Sequence, residues 1–163
     1  MIWPITVMYT ISLFATIYYL YQQKQTQYMT LKIITSFLFL ILGAISFAIT
    51  KNPIYLAMLP AYIFCFFGDV LLANAHEIDN KLIKPYFTLG VGAFAIAHIA
   101  YCIEFARLLN FRIGLSWGLS ILMMAIIYAT TKSRLFEYGT NRGPSVVYAF
   151  LVGLMCGMGI DLI

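Results

Sequence analysis

The chain reads as an all-α, polytopic transmembrane helical bundle of six spans, and three observations carry that expectation. Hydrophobic residues make up 63% of its 163 residues and charged residues only 10%, with a mean hydropathy of +0.90. An ordinary soluble domain has roughly 45–50% apolar and about 25% charged residues. Apolar runs of membrane-crossing length recur between short polar links, and no stretch needs a strand to satisfy its backbone. A single transmembrane domain over residues 1–163 follows, its core made by helix packing in lipid rather than by collapse away from water.

The first span runs from Met1 to about Tyr21. It lacks the Lys or Arg that opens a signal peptide and any small-residue cleavage site after it, so it is expected to be retained. The polar link Gln22 to Thr30 leads to a second span, Leu31 to Thr50, closed by Lys51-Asn52-Pro53 because proline cannot continue a helix. The third span covers Ile54 to Ala75. The fourth, Lys84 to Leu109, carries Pro85 in its first turn, where the missing N–H does no harm. After Asn110-Phe111-Arg112 come a fifth span, Ile113 to Thr131, the longest polar link, Lys132 to Pro144, and a sixth span from Ser145 onward. Trp3, Tyr18, Tyr19 and Tyr21 near span ends read as interface anchors.

Basic residues set the orientation. The links after spans 1, 3 and 5 are assigned Lys24, Lys32, Lys81, Lys84, Lys132, Arg134 and Arg142, against Lys51, Arg107 and Arg112 in the others, which places the first set in the cytoplasm. The net charge of +4 forms no stripe or tail, so a nucleic-acid partner is not expected. Cys65, Cys102 and Cys156 lie far apart without a Cys-x-x-Cys pair and read as packing residues, not as metal or redox ligands. Gly90-Val91-Gly92 lies within an apolar helix with no preceding strand, which excludes a phosphate loop. His76 and His98 lie at different depths, which argues against haem.

Two ionisable residues stand inside apolar spans. Helical spacing puts Tyr62, Cys65, Asp69 and Leu72 on one face of the third span and Phe87, Gly90, Phe94, His98, Tyr101 and Phe105 on one stripe of the fourth. The short connection makes these spans antiparallel neighbours, so the stripes are expected to meet, Asp69 opposite His98. An unpaired carboxylate in hydrocarbon costs at least ~2.5–3.5 kcal/mol, and holding a proton relieves that cost. Asp69 would then serve as a general acid, with His98 to orient it, share its proton or act as base. Tyr62 and Tyr101 offer hydroxyls to position water or a polar substrate group. The pattern alone supports a proton-transfer enzyme or a proton-coupled carrier.

Gly68-Asp69-Val70-Leu71-Leu72, followed by Phe87-x-x-Gly90-x-x-x-Phe94-x-x-x-His98-x-x-Tyr101, resembles the signature of the YhhN family, the lysoplasmalogenase-like membrane proteins that include the TMEM86 group. Phe136-Glu137-Tyr138 and the helix of Tyr148 also fall where that family has its fifth loop and sixth helix. The resemblance implies an eight-helix bundle that cleaves the vinyl ether bond of lysoplasmalogen, a single-chain ether phospholipid taken from membrane lipid, to a fatty aldehyde and a glycerophospho-alcohol. That chemistry needs no cofactor and no metal. At the matching motif positions Asp69 and His98 are the expected catalytic residues, with Tyr62, Phe87, Gly90, Phe94 and Tyr101 the expected substrate-binding residues. The family pattern continues with a seventh helix holding a Ser-Asp pair and an eighth helix, whereas this sequence stops at Asp161-Leu162-Ile163. A chain lacking the last two family helices is the expectation. The alternative is a small proton-coupled transporter or a lipid-binding membrane protein without catalysis.

The remaining polar groups have plainer readings. Glu104 is expected to pair with Arg107 at i+3, and His76, Glu77 and Asp79 to be solvated link residues. Gly114-x-x-x-Gly118 and Gly153-x-x-x-Gly157 are expected to permit close helix approach within the bundle, with homo-oligomer formation as the alternative.

Overall fold

A computed structural model describes residues 2–75, 84–109, 114–132 and 142–162. The expectations for His76, Glu77, Asp79, Lys81, Asn110, Arg112, Arg134 and Phe136-Glu137-Tyr138 lie outside these residues. The described chain is all-helical, without a strand, in seven helices: α1 (Ile2–Tyr21), α2 (Gln25–Thr50), α3 (Pro53–Ala57), α4 (Leu59–Asn74), α5 (Lys84–Leu108), α6 (Gly114–Lys132) and α7 (Arg142–Asp161). Three stretches, α1, α2 and Pro85–Leu108 of α5, are long and apolar enough to cross a membrane, while Leu59–Asn74, Ser116–Thr130 and Val146–Asp161 are apolar but shorter. With this composition the chain is a membrane protein.

Two of these helices differ in extent from the sequence reading. The second begins at Gln25, six residues before the expected start, because the polar run Gln25 to Thr30 is itself helical: Thr30 Oγ1 donates to the Thr26 carbonyl at 2.9 Å. The link from α1 thus shrinks to Gln22-Gln23-Lys24, with Gln23 in the left-handed region at φ 54°. The third expected span is broken at Met58 into α3 and α4. Pro60 is the physical reason: it has no N–H to donate, and its ring excludes the carbonyl four residues back, so it fits only a first turn. The close of α2 is as expected. Lys51 turns left-handed (φ 54°) with its N–H on the Phe47 carbonyl, and Asn52 Oδ1 accepts the Ile54 N–H at 3.1 Å to start α3 at Pro53.

The chain divides into two compact units, Met1–Ala97 and His98–Ile163. In the first, α2 is the hub, packing against α1, α3 and α4. Its seam with α1 is polar: Ser12 Oγ and Thr35 Oγ1 share a 2.6 Å hydrogen bond, and Thr16 Oγ1 lies 3.2 Å from Thr35 Oγ1. Ser12 and Thr16 are the buried residues of α1, whereas Trp3, Phe14 and Tyr21 are widely exposed. This inversion suits lipid, where apolar side chains gain nothing by turning inward and small hydroxyl residues let helices approach. Gly43 of α2 receives the Tyr62 ring, and Gly68 of α4 receives the ring of Phe94.

In the second unit α6 and α7 form the main pair. The Gly153-x-x-x-Gly157 stripe does permit close approach: a Cβ on Gly153 would lie 2.8 Å from Ser120 Cα, and one on Gly157 would strike Ser116 Cα. The facing stripe on α6 is Ser116-x-x-x-Ser120, both fully buried, while no described atom lies within 4 Å of where a Cβ would stand on Gly114 or Gly118. Cys102, Ala106 and Met158 form the buried apolar cluster of this unit. Among the cysteines, Cys102 is buried, Cys65 half-buried and Cys156 exposed.

Candidate functional site

The site begins with Asp69, on α4 one turn before its end at Asn74. Its Oδ1 lies 3.1 Å from the Nζ of Lys32, and the two side chains are 14% and 26% exposed. The carboxylate is therefore not isolated. Lys32 belongs to the second turn of α2 rather than to a link, and its ammonium also stands over the Phe94 ring, 6.0 Å from the centroid. Gly68 allows this convergence, because the Phe94 ring occupies the space that a side chain there would fill. Gly90, one turn earlier on α5, meets the Leu72 side chain and the Gly68 carbonyl.

The ion pair lines a cavity of about 420 Å³, within the range of small-molecule sites. Its walls are mostly apolar: Tyr9, Leu13 and Ile17 of α1, Phe39 of α2 and Phe94 of α5, with Cys65 beside Asp69. Polar groups enter from α2 at helical spacing, as Tyr28, Lys32, Thr35 and Ser36. Among the described lining residues Lys32 is the one cation and Asp69 the one anion. An opposite pair of charges on an apolar wall can take up or deliver a proton at one fixed point while the rest of the wall holds a chain.

The other expected site residues are placed as follows. Tyr62 is buried against Gly43, its ring edge-on to Phe39 at 5.2 Å and its hydroxyl 3.8 Å from the Met58 sulfur, so it supports the cavity wall from behind through Phe39. Phe87 and Gly90 lie nearer the start of α5 than Phe94 and are not among the described lining residues. His98 and Tyr101 fall in the second unit, where His98 is buried edge-on to the Tyr148 ring at 5.1 Å and Tyr101 packs at 6.1 Å from Phe105. In the same unit Arg107 Nη1 donates to Glu104 Oε1 at 2.8 Å, the pairing expected at i+3, and Ser116 Oγ donates to Asp161 Oδ2 at 2.8 Å. Among the described residues no group of three or more His, Cys, Asp or Glu is placed to hold a metal ion.

Lys32 is the site residue that sequence reasoning missed. The signal was present in the spacing Tyr28, Lys32, Ser36, Phe39, which sets a cation on one face of α2 with a hydroxyl and two aromatics.

Comparison of the whole chain with protein-family models matches it to the YhhN family over residues 26–163. That span includes Lys32, Asp69, Phe94 and His98. Comparison with curated proteins and with solved structures gives no match.

Proposed function

We propose, since this chain belongs to the YhhN family, that it is a multi-pass membrane hydrolase that cleaves the vinyl ether bond of lysoplasmalogen by general acid catalysis. What supports the reading is the Lys32–Asp69 pair on the wall of an apolar cavity. The 3.1 Å contact sets a carboxyl group and an ammonium at one point of that wall, so that a proton given up by Asp69 in turnover can be returned through Lys32.

In this reading Asp69 gives that proton to the alkene carbon remote from the ether oxygen. The oxocarbenium ion so formed is stabilised by the carboxylate left behind. Water adds to the cationic carbon and returns a proton to the site. The resulting hemiacetal collapses to fatty aldehyde and glycerophospho-alcohol, with one water consumed and the pair restored. His98 enters on sequence alone, as the residue that orients or relays the proton. The cavity's aromatic wall at Phe94 and Phe39 takes the alkenyl chain. The membrane setting proposed is a bacterial cytoplasmic membrane crossed six times, α3 and α4 together serving as the third span.

The test is aldehyde release from lysoplasmalogen by purified protein. Asp69→Asn, which keeps the shape and removes the acid, is expected to lower turnover at least about a hundredfold, the usual worth of a positioned acid. Full activity in Asp69→Asn overturns the assignment. Substrate-dependent proton uptake by liposomes without aldehyde points instead to a proton-coupled carrier.

A further inference from the structure

We propose that Lys32 is the residue that binds the phosphodiester of a single-chain lipid, setting the headgroup at one end of the cavity and the scissile bond beside Asp69. The inference rests on the reading above for the identity of the substrate, but its geometry stands on this chain's own residues.

An ammonium has three donors, and among the described residues Lys32 meets one oxygen of Asp69 and the face of Phe94. Its side chain stays 26% exposed, about twice that of Asp69, on the cavity wall. A lysine held on two sides and open on a third is a point cation aimed into the cavity. It is the one positive charge among the described lining residues, so a phosphodiester entering the cavity has one place to go.

The order of groups along α2 gives the lipid its direction. Tyr28, Lys32, Ser36 and Phe39 follow at helical spacing on the cavity side, and Lys32 to Phe39 spans roughly 10 Å of helix. The polar Gln22-Gln23-Lys24 link and the polar start of α2 lie beyond Tyr28. Toward the other end the lining becomes Phe39, Tyr9 and Leu13. A lipid with one chain fits this gradient: phosphate at Lys32, glycerol hydroxyl at Ser36, chain at Phe39 and Leu13.

The experiment compares two ligands that differ in the phosphodiester headgroup alone. A saturated alkyl-ether lysophospholipid and the corresponding alkylglycerol lack the alkene, so their equilibrium binding to the purified full chain is measurable whether or not aldehyde is ever released. The wild type is expected to favour the phospholipid by roughly tenfold or more, the worth of one charge-assisted contact. Lys32→Met is expected to abolish that preference, and Lys32→Arg to restore most of it. Because loss of Asp69 positioning or partial misfolding affects both ligands alike, the readout is the ratio of the two affinities. An unchanged ratio in Lys32→Met overturns the proposal, as does inorganic phosphate binding as tightly as the lipid, which would make the site one for a free anion. A ratio that depends on Lys32 in a protein releasing no aldehyde would sink the hydrolase reading and leave this one standing.

Discussion

Lys32 and Asp69 share a 3.1 Å contact in surroundings that are otherwise apolar, and such a pair is held together as much by what each charge would cost alone as by attraction. Removing one partner leaves an uncompensated charge in the wall, whereas replacing both by apolar residues of similar volume leaves nothing to solvate. Lys32→Met is therefore expected to destabilise the first unit by about 1–3 kcal/mol, less than a fully buried pair because Lys32 is partly exposed. The double variant Lys32→Met/Asp69→Leu is expected to recover most of that loss while remaining without activity. Unfolding in denaturant of the two single variants and the double variant checks this, and additive losses would show that the contact carries no coupling. At this scale the sequence was half legible. Asp69 announced itself as a carboxylate inside the apolar run Phe66 to Leu72. Lys32 did not, because a lysine at the very start of an expected span is ordinarily a link or snorkelling residue, and the start of α2 at Gln25 sets it two turns inside a helix that packs on α4.

Small residues decide how closely the helices approach, and the two sides of a helix are not equivalent in this respect. On α7, Gly153 and Gly157 meet the backbone of Ser116 and Ser120, with no flexible side chain to give way. Gly157→Val should cost about 1–3 kcal/mol or separate α6 from α7. Gly118→Ala faces no described atom within 4 Å and should be neutral or stabilise by up to about 1 kcal/mol through helix propensity alone. Thermal unfolding of the two variants side by side tests the assignment of faces. Equal losses would mean that Gly118 also packs. A Gly-x-x-x-Gly spacing is visible in sequence, but which of two such stripes is buried depends on helix rotation, and on α6 the serines at 116 and 120 took the inner face, with Asp161 accepting from Ser116. The break at Met58 was legible in principle from Pro60. The polar start of α2 was not, since glutamines and threonines serve equally well in a link and in a solvated helical turn.

For the whole molecule, taking Lys32 out of the links alters the charge count that orients the chain. Lys24, Lys81, Lys84, Lys132, Arg134 and Arg142 remain against Lys51, Arg107 and Arg112, so the α1–α2 link is still expected in the cytoplasm and the Lys51-Asn52 link outside. That orientation bears on the site. The end of the cavity that holds Tyr28 and Lys32 is the one toward the α1–α2 link, so a single-chain lipid would reach Lys32 from the cytoplasmic leaflet with its chain directed toward the membrane interior. Single cysteines at Gln23 and Asn52, in a background where Cys65, Cys102 and Cys156 are serine, flank α2 and report on it directly. With a membrane-impermeant maleimide, right-side-out vesicles are expected to label Asn52→Cys alone and inverted vesicles Gln23→Cys alone. Labelling of both positions from one side would mean that α2 does not cross. The opposite pattern would reverse the orientation and move lipid entry to the outer leaflet, leaving the Lys32–Asp69 geometry unchanged.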